Sequence, residues 1–121
     1  MKTGLVIEDN EDNVILITRL LRKAGYVMLW APTGLNGLEM VASHYPDFIL
    51  LGVKLPDIDG TEVLRRLRSS EAGKDIPVVV LTSHAMTGDR EKFLAAGITA
   101  FLEKPTDPTR IIDQIRNVLG A

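Results

Sequence analysis

The chain has 121 residues, of which 45% are hydrophobic and 25% are charged. These values are typical of one globular domain spanning residues 1–121 and argue against wholesale disorder. The absence of cysteine excludes disulfides, thiolate metal sites and cysteine nucleophiles. A formal net charge of -2 provides no electrostatic drive toward nucleic acids or membranes. The first apolar run ends at Glu8, too early for a signal peptide, so we expect a cytoplasmic protein.

Short apolar runs alternate with amphipathic segments along the chain. The runs cover residues 5–7, 27–30, 48–51, 78–81 and 98–102. Continuous apolar runs of this length are typical of strands that are buried on both faces of a parallel sheet. The segments between them have helical spacing, clearest in residues 14–24 and 111–119. The alternation predicts a doubly wound α/β fold with helices on both faces of the sheet.

Polar residues and glycine mark the predicted helix ends. Gly25 is expected to close the first helix in the left-handed conformation. The predicted N-caps are Asn10, Thr33, Asp59 with Glu62 completing a capping box, and Asp107 followed by Pro108.

Polar side chains follow several of the predicted strands. In doubly wound sheets, ligands bind at the carboxyl ends of the strands. Glu8 and Asp9 follow the first strand, and adjacent carboxylates that repel one another indicate a divalent metal. A solvated acidic loop at a helix start is the alternative. Thr82 and Lys104 end the fourth and fifth strands, where they could contact an anion, whereas Gly52 ends the third strand without a side chain.

Five segments in order resemble the receiver domain of two-component response regulators, including the single-domain chemotaxis and cell-cycle types. They are Ile-Glu-Asp-Asn at 7–10, Pro-Asp-Phe-Ile-Leu-Leu at 46–51, Leu-Pro-Asp-Ile-Asp-Gly at 55–60, Leu-Thr at 81–82, and 96–105 from Ala-Gly to Lys-Pro. The resemblance covers nearly the whole chain. It implies a flavodoxin-like (βα)5 fold with a five-stranded parallel sheet of order 2-1-3-4-5.

The resemblance also implies a phosphoryl-transfer site. In this family, an Asp at the end of the third strand accepts a phosphoryl group from a phosphohistidine, and Mg²⁺ neutralises the developing charge. By position in the motifs, Mg²⁺ would be held by Asp9 directly, by Glu8 through water and by the backbone carbonyl of Lys54. The phosphoryl and switch pocket would consist of Thr82, Phe101 and Lys104. The bond between Lys104 and Pro105 is predicted to be cis.

Gly52 falls at the phosphoacceptor position and supplies no nucleophile. We therefore expect a receiver-like signalling module that has no catalytic residue, is not an enzyme and binds Mg²⁺ weakly or not at all. Two explanations stay open: a natural degenerate receiver, or an Asp-to-Gly variant of a phosphorylatable regulator. Asp57 and Asp59 lie beyond the strand end, and Asp59 is expected to be occupied as a helix cap.

The implied partners are proteins: a histidine kinase, a phosphotransfer protein or a downstream effector. The resemblance places them on the face formed by the fourth helix, fifth strand and fifth helix, with Phe93, Phe101 and residues 106–110. The arginines at 65, 66 and 68 are interpreted as a solvated helix face rather than a DNA-binding surface.

A flavodoxin-like cofactor-binding protein is the alternative from another functional class. Such a protein needs a loop rich in Gly, Ser or Thr after the first strand to hold phosphate on backbone N–H groups. Residues 8–12 form an acidic loop at that place, which would repel phosphate in the absence of a metal.

Overall fold

The computed structural model describes residues 2–53, 55–82, 89–103 and 108–119. Its strands are β1 (Thr3–Ile7), β2 (Val27–Ala31), β3 (Phe48–Gly52), β4 (Val78–Thr82) and β5 (Ala100–Glu103). Its helices are α1 (Glu11–Lys23), α2 (Gly34–His44), α3 (Gly60–Arg68), α4 (Asp89–Ala96) and α5 (Pro108–Leu119). In these ranges no helix combines the length and the apolar content that crossing a membrane requires.

The strands form one parallel sheet in the order β2-β1-β3-β4-β5, which is the order that the family resemblance implies. The chain reverses its direction of winding between β1 and β3, so these two strands are neighbours although β2 lies between them in sequence. Ile7 pairs with Leu51 in this register. The residues that follow β1 are therefore brought beside the end of β3, at the topological switch point where such sheets bind ligands.

Two apolar clusters cover the two faces of the sheet, because alternate residues of each strand point to opposite sides. On one face, Leu5 and Ile7 of β1 pack with residues of α2, α3 and α4. On the other face, Val6 packs with residues of α1 and α5. All five residues of β3 are buried, as expected for a central strand covered on both faces.

The helix ends in the described ranges agree with the sequence expectations. The side chains of Asn10, Thr33 and Asp59 each accept a hydrogen bond from a backbone N–H in the first turn of the helix that follows. Gly25 has a φ of 100°, in the left-handed region. The predicted capping box is only half formed, because the carboxylate of Glu62 bonds the arginines of α3. The predicted Asp107 cap lies outside the described residues.

Three details differ from the expectations. β5 begins at Ala100 rather than at residue 98, because residues 98–99 belong to the connection that follows Gly97. Phe93, expected on the partner face, is 2% exposed and packs in the core, whereas its neighbour Leu94 is 52% exposed. Arg68, expected to be solvated, donates hydrogen bonds to the carbonyls of residues 73, 76 and 97.

Candidate functional site

The carboxyl ends of the three central strands lie side by side. Gly52, the last residue of β3, pairs with Leu81 of β4, and Thr82 ends β4 one residue later. On the other side of β3, the pairing of Ile7 with Leu51 brings Glu8 next to Gly52. The expected convergence of the strand ends around position 52 is therefore present in the backbone.

Glu8 is held firmly at the end of β1. Its backbone N–H donates to the carbonyl of Ala31 at 3.1 Å, and its own carbonyl accepts a 2.8 Å hydrogen bond from the indole N–H of Trp30. Its carboxylate Oε1 accepts a 3.3 Å hydrogen bond from the backbone N–H of Asn10. Glu8 is only 3% exposed, whereas the next residue, Asp9, is exposed. The two acidic residues therefore have different environments.

The carboxylate of Glu8 lies against Gly52. A Cβ atom at position 52 would lie 2.6 Å from Glu8 Oε2 and 3.1 Å from Glu8 Cδ. It would also lie 3.2 Å from the carbonyl oxygen of Ile7. The space into which a side chain at position 52 would extend is thus taken by the carboxylate of the residue that follows β1.

The resemblance to receiver domains implies a Mg²⁺ ion at this strand edge. In the described part of the chain, no group of three or more His, Asp or Glu side chains converges as metal ligands would. Glu8 is buried against β3, which leaves Asp9 as the exposed carboxylate of the pair. Mg²⁺ keeps several waters and is usually held by one or two protein carboxylates. Here the burial of Glu8 leaves one exposed carboxylate, so these two residues do not form the carboxylate pair of the family's metal site.

The structure places the other predicted site residues only in part. Thr82 lies at the end of β4 and Phe101 lies within β5, where it pairs with Val80. Lys54, Lys104 and the bond to Pro105 lie outside the described residues, so their predicted roles stay predictions.

Asp57 has a role that sequence reasoning did not identify. Its two carboxylate oxygens accept hydrogen bonds of 2.9 and 2.8 Å from the backbone N–H groups of Gly34 and Leu35, at the start of α2. Partial desolvation acts to raise the pKa of Asp57, but the hydrogen bonds from Leu35 and Gly34 outweigh it and lower the pKa to about 2. No local sequence signal links Asp57 to a helix start 23 residues away.

Asp59 is engaged in the same loop. Its Oδ1 accepts a 2.6 Å hydrogen bond from the hydroxyl of Thr61 and a 2.9 Å bond from the N–H of Glu62. The bond from Thr61 is the main cause that lowers the pKa of Asp59. Both carboxylates of the β3–α3 loop therefore serve as helix caps, and their oxygens are directed toward N–H and hydroxyl donors.

Comparison with known proteins agrees with this geometry. Residues 5–116 match the response regulator receiver domain family. The polar-differentiation response regulator DivK of Brucella ovis is 36% identical over 119 residues, covering 98% of this chain and 97% of the relative.

Solved structures show the same fold. The receiver domain of the Pseudomonas aeruginosa sensor histidine kinase PA1611, with a magnesium ion in its active-site cleft, is 31% identical with a TM-score of 0.92. That match covers 99% of this chain and 98% of the other. The Vibrio cholerae chemotaxis regulator CheY4 is 24% identical with a TM-score of 0.93, covering 98% of each chain, and supports the fold alone.

Proposed function

We propose that this chain, which belongs to the response regulator receiver domain family of two-component signalling, is a receiver that is not phosphorylated and acts by binding partner proteins. It has no catalytic residue of its own under this proposal and is not an enzyme. The proposed partners are a histidine kinase, a phosphotransfer protein or a downstream effector in the cytoplasm. Nucleic acids and membranes are not among them.

The observation that carries the proposal is the position of Gly52. It ends β3 beside Glu8, at the switch point of the sheet. The motif resemblance implies that this is the position of the family's phosphoacceptor Asp. A phosphoryl group can form an acyl phosphate only with a carboxylate, and glycine has none. The Glu8 carboxylate that lies over Gly52 is buried, and Asp57 and Asp59 are held by helix starts. None of these groups is placed as an open nucleophile at the strand end.

The rest of the pocket supports an origin in a phosphorylatable receiver. Thr82, Phe101 and Lys104 have the residue types and positions that match the switch and phosphoryl-holding groups of the family. If these groups are functional, restoring an Asp at position 52 is expected to restore the reaction, because the groups that stabilise the transferred charge are already in place.

The test is phosphorylation by a small phosphodonor. We expect the unmodified protein, incubated with Mg²⁺ and acetyl phosphate, to show no phosphoryl mass adduct. Gly52→Asp is expected to gain one adduct, and the matched control Gly52→Asn, which has nearly the same shape but no nucleophile, is expected to gain none. The measurement is intact-protein mass spectrometry, followed by borohydride trapping of the acyl phosphate.

One result would overturn the proposal, and another would decide only where the pocket came from. An adduct on the unmodified protein would mean that another carboxylate accepts the phosphoryl group. No adduct on a folded Gly52→Asp variant would contradict an origin in a phosphorylatable receiver with a working pocket, and would favour a module long adapted to phosphorylation-independent binding.

A further inference from the structure

The Glu8 carboxylate lies so close to Gly52 that it would clash with a side chain at that position. A Cβ atom at position 52 would meet Glu8 Oε2 at 2.6 Å, a distance that requires one of the two groups to shift. Glu8 Oε2 is the end of a flexible side chain, so it can move by rotation about side-chain bonds. The carbonyl of Ile7, at 3.2 Å, belongs to the backbone and would yield by only a few tenths of an ångström. A small side chain at position 52 is therefore expected to displace the Glu8 carboxylate and to shift the backbone by no more than a few tenths of an ångström.

We propose that Glu8 fills the space of the missing acceptor side chain, and that residue 52 controls whether the Glu8 carboxylate is buried against β3 or faces the cleft beside Asp9. The inference rests on the proposed function, because it concerns the same strand-end pocket. It predicts that Gly52 removes two carboxylates from the family's metal site, its own and that of Glu8.

The proposal predicts a change in Mg²⁺ affinity that differs from the one expected by counting oxygen ligands. A methyl group at position 52 adds no oxygen ligand, yet it would turn Glu8 out beside Asp9. Two neighbouring carboxylates repel one another, and a divalent cation relieves that repulsion. Gly52→Ala is therefore expected to bind Mg²⁺ about tenfold more tightly than the unmodified protein.

The test is a double-mutant cycle measured by calorimetric titration with MgCl₂. Its four proteins are the unmodified chain, Gly52→Ala, Glu8→Gln and the double variant. Glutamine keeps the shape of Glu8 and removes its charge, so the methyl group at position 52 should no longer tighten binding in that background. Equal Mg²⁺ affinities of the unmodified chain and Gly52→Ala would overturn the proposal, as would equal tightening in both backgrounds.

A substitution of Glu8, rather than of Gly52, tests the same contact. The side chain of Glu8→Asp is one methylene shorter and should not reach over Gly52, so this variant is also expected to bind Mg²⁺ more tightly. Glu11→Asp, an exposed acidic position in the first turn of α1, is the matched control and should leave the affinity unchanged. Glu8→Asp keeps the test decisive if Gly52→Ala does not fold, and no tightening in Glu8→Asp would overturn the proposal.

The environment of the Glu8 carboxylate can also be measured by NMR without any metal. The ¹³C resonance of the Glu8 carboxyl, assigned by its loss in Glu8→Gln, should move in Gly52→Ala toward the values of exposed glutamates. An unchanged resonance would overturn the proposal. None of these measurements uses phosphoryl transfer, so their failure leaves the proposed function standing. Conversely, a phosphoryl adduct on the unmodified protein would overturn the proposed function without altering these titrations.

Discussion

The indole N–H of Trp30 donates a 2.8 Å hydrogen bond to the backbone carbonyl of Glu8. Trp30 lies on the edge strand β2 and is 40% exposed, whereas Glu8 is buried at the end of β1. The neighbouring carbonyl of Ala31 accepts the N–H of Glu8, so β2 holds this residue from both of its backbone polar groups. The backbone of Glu8, which carries the buried carboxylate, is therefore held in part by an aromatic side chain at the sheet edge.

Trp30→Phe tests this support. Phenylalanine keeps an aromatic ring but lacks the N–H donor, so we expect the free energy of unfolding to fall by about 1 kcal/mol. Urea unfolding followed by circular dichroism measures the change, because the variant contains no tryptophan. Tyr45→Phe is the control, since Tyr45 is 69% exposed and the change should stay within about 0.5 kcal/mol. Equal stabilities of Trp30→Phe and the unmodified protein would contradict the prediction.

The Asp57 carboxylate predicts a pH dependence of stability. Its pKa in the folded state is lowered from 3.8 to about 2, so it binds protons less readily in the folded chain than in the unfolded chain. Its stabilising contribution is therefore complete above the unfolded pKa and is lost as the pH falls through the folded pKa. We expect Asp57→Asn to have a lower Tm than the unmodified protein at pH 6, with a smaller difference at pH 3.

Thermal unfolding of both proteins across this pH range measures the effect. Glu39→Gln, an exposed acidic position within α2, serves as the control and should leave the pH profile unchanged. A Tm difference between Asp57→Asn and the unmodified protein that stays constant from pH 6 to pH 3 would rule out the ionised Asp57 as its source.

Gly37 marks a close approach of α2 to the sheet. A Cβ atom there would lie 2.5 Å from Cδ1 and 2.8 Å from Cγ1 of Ile7, which is completely buried. Alanine would gain about 1 kcal/mol of helix propensity but would overpack the core at a cost of about 1–3 kcal/mol. We therefore expect Gly37→Ala to lower the free energy of unfolding by up to about 2 kcal/mol.

Ser43→Ala, at an exposed position of the same helix, is the control for Gly37→Ala. It gains helix propensity without a clash and should be unchanged or slightly more stable in urea unfolding. A Gly37→Ala variant more stable than the unmodified protein would mean that α2 moves away from Ile7 at little cost.

Arg68 joins the end of α3 to two other segments, the connection between α3 and β4 and the residue that follows α4. Its guanidinium donates to the carbonyls of Gly73 at 2.9 Å, Ile76 at 2.7 Å and Gly97 at 2.7 Å. Desolvation of this side chain lowers the pKa of Arg68. We expect Arg68→Ala to lower the free energy of unfolding by about 1–3 kcal/mol, because the carbonyls lose their donor.

Arg66→Ala is the matched control in the same helix. Arg66 pairs with Glu62 on the surface of α3, and such pairs contribute about 0.3–0.5 kcal/mol. Similar losses in the two variants, measured by urea unfolding, would contradict a special role for Arg68.

Much of the fold could be predicted from local sequence patterns. The apolar runs placed the strands to within one or two residues, and Asn10, Thr33 and Asp59 marked helix starts that the structure confirms. The partner-face prediction for Phe93 was wrong, because the sequence does not distinguish which of two adjacent apolar residues in α4 faces the core. The expectation that Arg68 is solvated was also wrong, because it bonds carbonyl groups in other segments that the sequence around it does not reveal.

By itself, the sequence determined the order of strands and helices, the helix caps, and the absence of a nucleophile at position 52. These features depend on hydrophobic periodicity, capping and residue chemistry, which act over a few neighbouring residues. Only the tertiary structure decided that the Glu8 carboxylate lies over Gly52 and that Asp57 bonds the start of α2. Both contacts join residues far apart in the chain. The first forms because the crossover from β2 to β3 places β3 beside β1, and the second forms because α2 and α3 pack side by side.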